Sequence, residues 1–544
     1  MKDIIPQFFL SMKHYTREQF VKDVISGIIV AIIALPLSIA LALASGVTPE
    51  QGLYTAIVAG FVISFLGGSK VQIAGPTAAF ASIVAGIVLK NGLDGLAAAT
   101  VMAGILLVIM GFLRLGSLIR FIPYTITTGF TTGIAVTIFI GQIKDFMGLT
   151  FQHAPIETLG KVSEVVHSIG TLNPMALAVG FTALIVLVVW PRFFKTIPPS
   201  LIAVIVTAGL VKVFHLPVNT IGDLYTISSD LPAFHLPVFS LSMVQKVMPD
   251  AVTIAVLAAV ESLLSCVVAD GMVGSRHNSN MELVAQGAGN ICSALFGGIP
   301  ATGAIARTAA NIKNGGRTPV AGMVHAVMLL LVLVFLMPYA ALIPMPAIAA
   351  ILFMVAYNMS EWRVFLSIVK TAPKSDWSVL VVTFVFTVAF DLVTAIAVGI
   401  LFASLLFMKR MADVTEISSW KYLEDEENSS ESIDLKPVPK HVAVFEVSGP
   451  MFFGAAEKIS QLIIEEGKRV LILRMRSVPA MDATALKSLE KLNQNLKRKH
   501  VTLILSHVND QPMSMMERAG FLESVGRENL AGCIDEALLM AKAM

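Results

Sequence analysis

The sequence predicts an α-helical polytopic membrane protein. Its fourteen transmembrane segments fall into seven-plus-seven inverted repeats, and a cytoplasmic α/β domain follows them. Three observations carry this reading. The composition suits a bilayer, a Gly-Gly motif recurs 230 residues further along, and long apolar runs give way late in the chain to short alternating ones.

Hydrophobic residues make up 56% of the chain and charged residues 14%, with a mean hydropathy of +0.78. A soluble protein of this length carries roughly a quarter charged residues. Long apolar runs recur at Ile28–Ala44, Ala97–Phe112, Ala176–Trp190, Val320–Phe335 and Val379–Phe407. Runs near 18–20 residues match the roughly 30 Å hydrocarbon core of a bilayer. A soluble fold would need an implausible series of helices apolar on every side. The net charge of +2 is mixed in sign, which gives no nucleic-acid signal.

The N-terminal "MKDIIPQFFLSMKHYTREQF" is polar and charged before the first long run, so no cleavable signal peptide is expected. Lys and Arg gather in loops on the N-terminal side, including Lys13, Arg17, Lys22, Arg114, Arg120, Arg192, Lys195, Arg276, Lys313, Arg317 and Arg363. The opposite side carries Lys90, Lys144, Lys161, Lys212 and Lys246, and loop 215–245 has neither residue type. The positive-inside rule then places both termini in the cytoplasm. Cys266, Cys292 and Cys533 show no metal or redox spacing.

"FLGGSKVQIAGPTAAF" (65–80) and "LFGGIPATGAIARTAA" (295–310) share one pattern. Each runs from an apolar helix through Gly-Gly and a short extended piece to a break that opens a small-residue helix. Asp23 and Asp250 open the matching preceding spans. An odd number of spans per half inverts the second copy, as in secondary transporters. The paired breaks then put two helix starts face to face, at Gly75-Pro76-Thr77-Ala78 and Thr302-Gly303-Ala304-Ile305. Unsatisfied N–H groups and a partial positive charge make each start an anion seat. Pro76 suits a first turn, and Gly303 is expected to let a ligand approach the backbone.

Arg307 lies one turn further in, and its permanent charge is costly in a membrane. It either strengthens the seat or snorkels toward the cytoplasmic side near Lys313. In "DAVTIAVLAAVESLLSCVVADGMVG" (250–274), Glu261 sits mid-span and Asp270 near one end. Glu261 can carry a proton, coordinate Na⁺ with Ser262 or Ser265, or neutralise Arg307. Ser38, Thr77 and Thr302 offer further polar groups.

Residues 1–410 form the transmembrane domain, 411–438 a polar linker ("EDEENSSESIDLKPVPK") and 439–544 the soluble domain. There, "HVAVFEVSGPMFF", "RVLILRMRS" and "VTLILSHV" read as strands and "AMDATALKSLEKLNQNLKRK" as a helix. No phosphate loop, zinc spacing or nucleophile triad points to an enzyme, and no cofactor is expected.

"ALPLSIALALASGVTPEQGLYTAIVAGFVISFLGGSKVQIAGPTAAF" (34–80), "ESLLSCVVADGM" and "GAIARTAAN" resemble the sulfate permease (SulP) family. The C-terminal part resembles its STAS domain. The resemblance implies core and gate domains and an anion site at Thr77, Ala78, Gly303, Ala304 and Ile305, facing Leu37 and Leu41. Arg307 matches a basic position near the anion, and Glu261 an acidic coupling position. Sodium-coupled bicarbonate members carry threonine where this chain has Ile305, which favours H⁺ over Na⁺ and weakens bicarbonate as substrate.

The STAS domain is similar to anti-sigma-factor antagonists. Their phosphorylated serine is matched here by Ala483 beside Asp482, with Thr484 the nearest hydroxyl. A contact role, with a homodimer partner or a cytoplasmic protein, is the simpler implication. The expected function is proton-coupled symport of a small inorganic or organic anion (sulfate, bicarbonate or dicarboxylate) by an elevator-type movement in the cell membrane. The alternatives are a nucleobase transporter of the same fold, and a non-transporting sensor or scaffold signalling through the soluble domain.

Overall fold

The computed structural model describes residues 5–544 apart from 14, 118–122, 154, 156, 195–196, 238–239, 391, 420–437, 455–457, 460–461, 463–464 and 466. Arg120, Lys195 and most of the expected linker therefore lie outside the described residues. The chain divides into two compact units, Met1–Ile400 and Leu401–Met544.

The first unit opens with α1 (Gln7–Met12), α2 (Arg17–Ala44), α3 (Pro49–Leu66), strand β1 (Ala74–Gly75) and α4 (Ala78–Phe112). It continues through α5 (Tyr124–Met147), α6 (Thr158–His167), α7 (Pro174–Phe193), α8 (Pro199–Phe214) and the short α9 (Ile221–Leu224). The second half comprises α10 (Leu241–Val273), α11 (Ser279–Leu295), β2 (Thr302–Gly303), α12 (Ile305–Lys313) and α13 (Val320–Ala340). After these come α14 (Met345–Ser360), α15 (Trp362–Thr371), α16 (Lys374–Ala389) and α17 (Leu392–Val414), and the unit boundary falls inside α17. Among the described residues, 8 helices are long and apolar enough to cross a membrane.

Local chemistry sets these boundaries. Thr16 caps α2 by accepting from the Gln19 amide at 3.2 Å, and Thr48 with Gln51 forms a capping box before Pro49. Asn173, Ser240 and Asn278 cap α7, α10 and α11. Gly92, at φ 70°, breaks α4 into two helices.

The inverted repeat is visible in the order of elements. The series α2–α3–β1–α4 recurs as α10–α11–β2–α12–α13, with the Gly92 break matching the gap between α12 and α13. Reciprocal braces join the halves. Gln51 Nε2 of α3 donates to the Gly297 carbonyl at 3.3 Å, and the Ile299 amide donates to Thr55 at 2.7 Å. In return the Gly68 and Ser69 amides donate to Glu282 of α11 at 2.9 and 3.2 Å. Asp23 accepts from the Thr318 hydroxyl (2.6 Å) and the Arg317 amide (2.9 Å) just before α13. Asp250 accepts from Asn91 at 3.3 Å, beside the Gly92 break.

The second unit is a five-stranded sheet in the order β3-β4-β5-β6-β7. Its strands are β3 (Glu416–Ser419), β4 (Val442–Ser448), β5 (Val470–Ser477), β6 (Thr502–Ser506) and β7 (Leu530–Ala531). The helices α18 (Ala483–Arg498), α19 (Asp510–Arg518), α20 (Phe521–Val525) and α21 (Ile534–Lys542) accompany it. Strands β4 to β7 pair in parallel, and β3 adds antiparallel to β4. The expected strands and helix at 439–506 are all present. The start of the segment expected as linker is ordered instead: α17 runs to Val414, and β3 gains a ladder partner in β4, which its sequence does not announce. Two apolar clusters cover the sheet, one containing Leu471, Leu473 and Leu489, the other Ile472, Ile504 and Ala537. They include alternate residues of β5, as the pleat requires.

Candidate anion site

The two chain breaks meet. Strands β1 and β2 pair antiparallel, Ala74 opposite Gly303 and Gly75 opposite Thr302. From this two-residue ladder the chain runs directly into α4 and α12, with Thr77 and Ala304 at their N-caps. Neither cap is closed by a side chain. The first intrahelical bond of α12 runs from the Thr308 amide to the Ala304 carbonyl at 2.9 Å, so the amides of Ile305, Ala306 and Arg307 are free of helical duty. Thr77 is half-buried and Ile305 is 43% exposed, which leaves the helix starts accessible.

Helix α10 buttresses the ladder. Ser262 lies 2.7 Å from the Thr302 hydroxyl and accepts from the Gly303 amide at 3.2 Å. Glu261 accepts from the Thr77 hydroxyl at 2.9 Å, tying α10 to the start of α4. Ser265 is one turn further on, fully buried, and donates to Thr308 at 3.4 Å. The structure thus brings Glu261 and Thr77 together and engages Ser265 behind α12. Leu41 and the half-buried Leu37 pack in the same apolar cluster as Ala78 and Phe80. Ala78 is 7% exposed and Ala304 9%.

Arg307 is 2% exposed, which overturns the snorkelling alternative. Its Nη2 donates to the Pro76 carbonyl at 3.0 Å, while Nε and Nη1 have no hydrogen-bond partner among the described residues. Among the described residues no carboxylate pairs with it, so the neutralising role considered for Glu261 is not what the structure shows. The guanidinium lies against Gly75, where a Cβ would come within 2.5 Å of Nη1. An uncompensated buried charge costs several kcal/mol, and a bound anion would offset that cost.

Gly303 has a different reason from the expected one. A Cβ there would stand 1.9 Å from Gln72 Nε2, so the glycine makes room for a neighbouring side chain rather than for a ligand. Gln72 in turn donates to Glu282 at 3.0 Å and accepts from the Cys266 thiol. Sequence reasoning missed this network. Glu282 is fully buried and also receives Gln286 Nε2 at 2.9 Å, so four donors hold its carboxyl group. The one available signal was an isolated carboxylate in an otherwise weakly polar helix.

Asp270 closes the α10–α11 connection. It accepts from the His277 amide (2.8 Å), the Ser275 hydroxyl (3.0 Å) and the His277 ring (2.7 Å), whose other nitrogen meets Ser279 at 2.9 Å. In the soluble unit, Asp482 caps α18 by accepting from the Ala485 amide at 2.8 Å and also receives the Phe453 amide at 2.8 Å. Thr484, in the first turn of α18, is exposed.

An inverted-repeat bundle whose two broken helices start face to face defines the class of secondary-transporter folds. Within that class the chain belongs to the sulfate permease family, whose model matches residues 20–383, while residues 435–537 match the STAS domain. It is 39% identical to the putative sulfate transporter YvdB of Bacillus subtilis, over 96% of this chain and 98% of that one. It is 30% identical to the bicarbonate transporter BicA of Picosynechococcus, over 95% and 94%. Among solved structures, the transmembrane domain of a cyanobacterial BicA superposes with a TM-score of 0.63 at 29% identity, covering 72% of this chain and 98% of that one. The inward-facing murine Solute Carrier 26 family member A9 gives 0.88 at 19% identity, covering 99% and 94%, a likeness of fold. These relatives are transporters and not enzymes.

Proposed function

We propose that the protein is a secondary active transporter of small anions, working as an H⁺ symporter. The observation that carries this reading is Arg307, a buried and unpaired cation beside two uncapped helix starts. Free backbone amides and the guanidinium read negative charge rather than shape, which suits sulfate, bicarbonate or a dicarboxylate. Relatives named as sulfate and bicarbonate transporters support the same class.

Glu261 is the coupling group in this reading. It touches Thr77 at the rim of the seat, where a proton can enter and leave with the anion. Ile305 stands where threonine would add an oxygen ligand, so H⁺ is preferred to Na⁺. Transport proceeds by an elevator-like displacement of core against gate across fourteen spans, in the cell membrane with both termini cytoplasmic. A homodimer, with the STAS domain contacting its copy or a cytoplasmic protein, completes the proposal.

The test is tracer uptake into proteoliposomes. Arg307→Ala should abolish saturable uptake of radiolabelled sulfate and bicarbonate while the protein stays folded, and unchanged uptake refutes the seat. Competition by uracil would instead favour a nucleobase substrate. If no solute gradient drives flux in the native chain, the sensor or scaffold reading takes its place.

A further inference from the structure

A second polar recess lies one helical turn from the anion seat along α4. Its volume is about 130 Å³, room for several waters or one small oxyanion. The C-terminal end of α2, the first turns of α4, the second half of α5, α6 and the start of α14 enclose it. Ser82, on its wall, is four residues past Ala78, about 6 Å along the helix. In the proposed topology these ends of α2 and α5 face outward, so a solute from that side meets the recess before the seat.

Five polar side chains line the recess: Ser82, Thr137, Gln142, Asp145 and Lys161. The Thr137 hydroxyl donates to the Gly133 carbonyl at 3.2 Å. The side chains of the other four make no hydrogen bond and no ion pair among the described residues, although Gln142 is only 7% exposed. Gly141 fixes where the ammonium sits, since a Cβ there would lie 3.8 Å from Lys161 Nζ and within 4 Å of no other neighbour. Gly141 and Asp145 are four residues apart and so share one face of α5, with Cβ positions about 6 Å apart. A rotation of the flexible lysine stem can therefore bring Lys161 to Asp145, with which it is not paired. Neighbouring charges are engaged elsewhere. Lys144 lies 5.4 Å over the Phe151 ring, and Glu164 accepts from the Gln152 and His153 amides at 2.8 and 3.2 Å.

We infer that this recess is an outer staging site for the transported anion, held there by Lys161 and released when Lys161 turns to Asp145. The ammonium, the Gln142 amide and the Ser82 hydroxyl are donors that an oxyanion can accept from. The recess holds one cation and one carboxylate, so its charge balances when it is empty. An arriving anion must compete with Asp145 for the same ammonium, which keeps its stay short. A cation without that competitor would trap the solute ahead of the seat. The inference rests on the proposed passage of anions through the Arg307 seat.

The experiment uses the full chain in proteoliposomes with radiolabelled sulfate, bicarbonate and succinate. Lys161→Gln leaves the carboxylate alone in the recess and should raise KM for uptake about tenfold, the size of one lost hydrogen bond to a charged group. Asp145→Asn removes the competitor and should lower both KM and the maximal rate. A purely structural pair would instead give similar losses in the two variants. Thiol labelling reads the site without transport. Ser82→Cys, in a chain carrying Cys292→Ser and Cys533→Ser, leaves only the fully buried Cys266 besides the new thiol. Its modification by a membrane-impermeant thiol reagent should slow when sulfate, bicarbonate or succinate is added, and Lys161→Gln should abolish that protection. An unchanged KM in Lys161→Gln, a raised KM in Asp145→Asn, or labelling that none of the three anions slows would overturn the inference even where Arg307-dependent uptake is intact. Protection without any uptake would overturn the transporter reading alone.

Discussion

Thr77 and Glu261, 184 residues apart, share a hydrogen bond of 2.9 Å that joins the start of α4 to the middle of α10. In the proposed mechanism the first belongs to the helix start that receives the anion and the second carries the proton. Glu261→Gln keeps an oxygen that can accept from Thr77, so the fold should persist. Uptake should then continue down an anion gradient and lose its response to an imposed pH gradient. Proton-driven accumulation in that variant would remove Glu261 from the coupling step.

The Arg307 site separates charge from geometry. Lysine keeps a positive charge but cannot reproduce the planar fork that reaches the Pro76 carbonyl while facing the seat. Arg307→Lys should therefore retain detectable uptake with KM raised about tenfold or more, in line with a loss near 1.4 kcal/mol. Kinetics equal to the native protein would mean that the charge alone suffices.

Gly303 and Gln72 are coupled by space. Gly303→Ala should destabilise the protein by about 1–3 kcal/mol through overpacking, because its new methyl meets Gln72. Shortening the neighbour with Gln72→Ala in the same chain should return part of that loss in a thermal melt. If the double variant melts no higher than Gly303→Ala, the steric explanation is wrong.

Glu282 tests the braces between the repeats. Its removal in Glu282→Ala strands the Gly68 and Ser69 amides and the Gln72 and Gln286 side chains, each costing about 1–3 kcal/mol when buried without a partner. Glu282→Gln keeps one acceptor oxygen and should fall between the alanine variant and the native chain. Detergent-solubilised melting curves in the opposite order would contradict this.

In the soluble unit, Asp482→Ala should loosen the start of α18 by about 1–2 kcal/mol, the usual value of an N-cap, whereas exposed Thr484→Ala should change it by less than about 0.5 kcal/mol. Amide exchange at Ala485 in the full-length protein reads the difference directly.

Much of this was legible because the signals are local. Apolar runs, the Gly-Gly repeats and the alternation of β4 to β6 are all short-range patterns. They place helices and strands and mark where two helices begin. Arg307 and Glu261 stood out because a lone charge in an apolar segment is expensive wherever it points. Their partners were not legible. Glu261 turned to Thr77 rather than Arg307, and Gly303 made room for Gln72.

The sequence by itself determined that the chain is a membrane body with a repeated, interrupted helix and a trailing α/β domain, because composition and periodicity act over a few residues. Only the tertiary structure decided what the buried charges touch. Inside a bundle each polar atom is satisfied, or left idle, by residues hundreds of positions away, and no local pattern encodes that choice. The antiparallel pairing of Ala74–Gly75 with Thr302–Gly303 is the clearest case, since two distant dipeptides bring two helix starts together only when the fold lays them side by side.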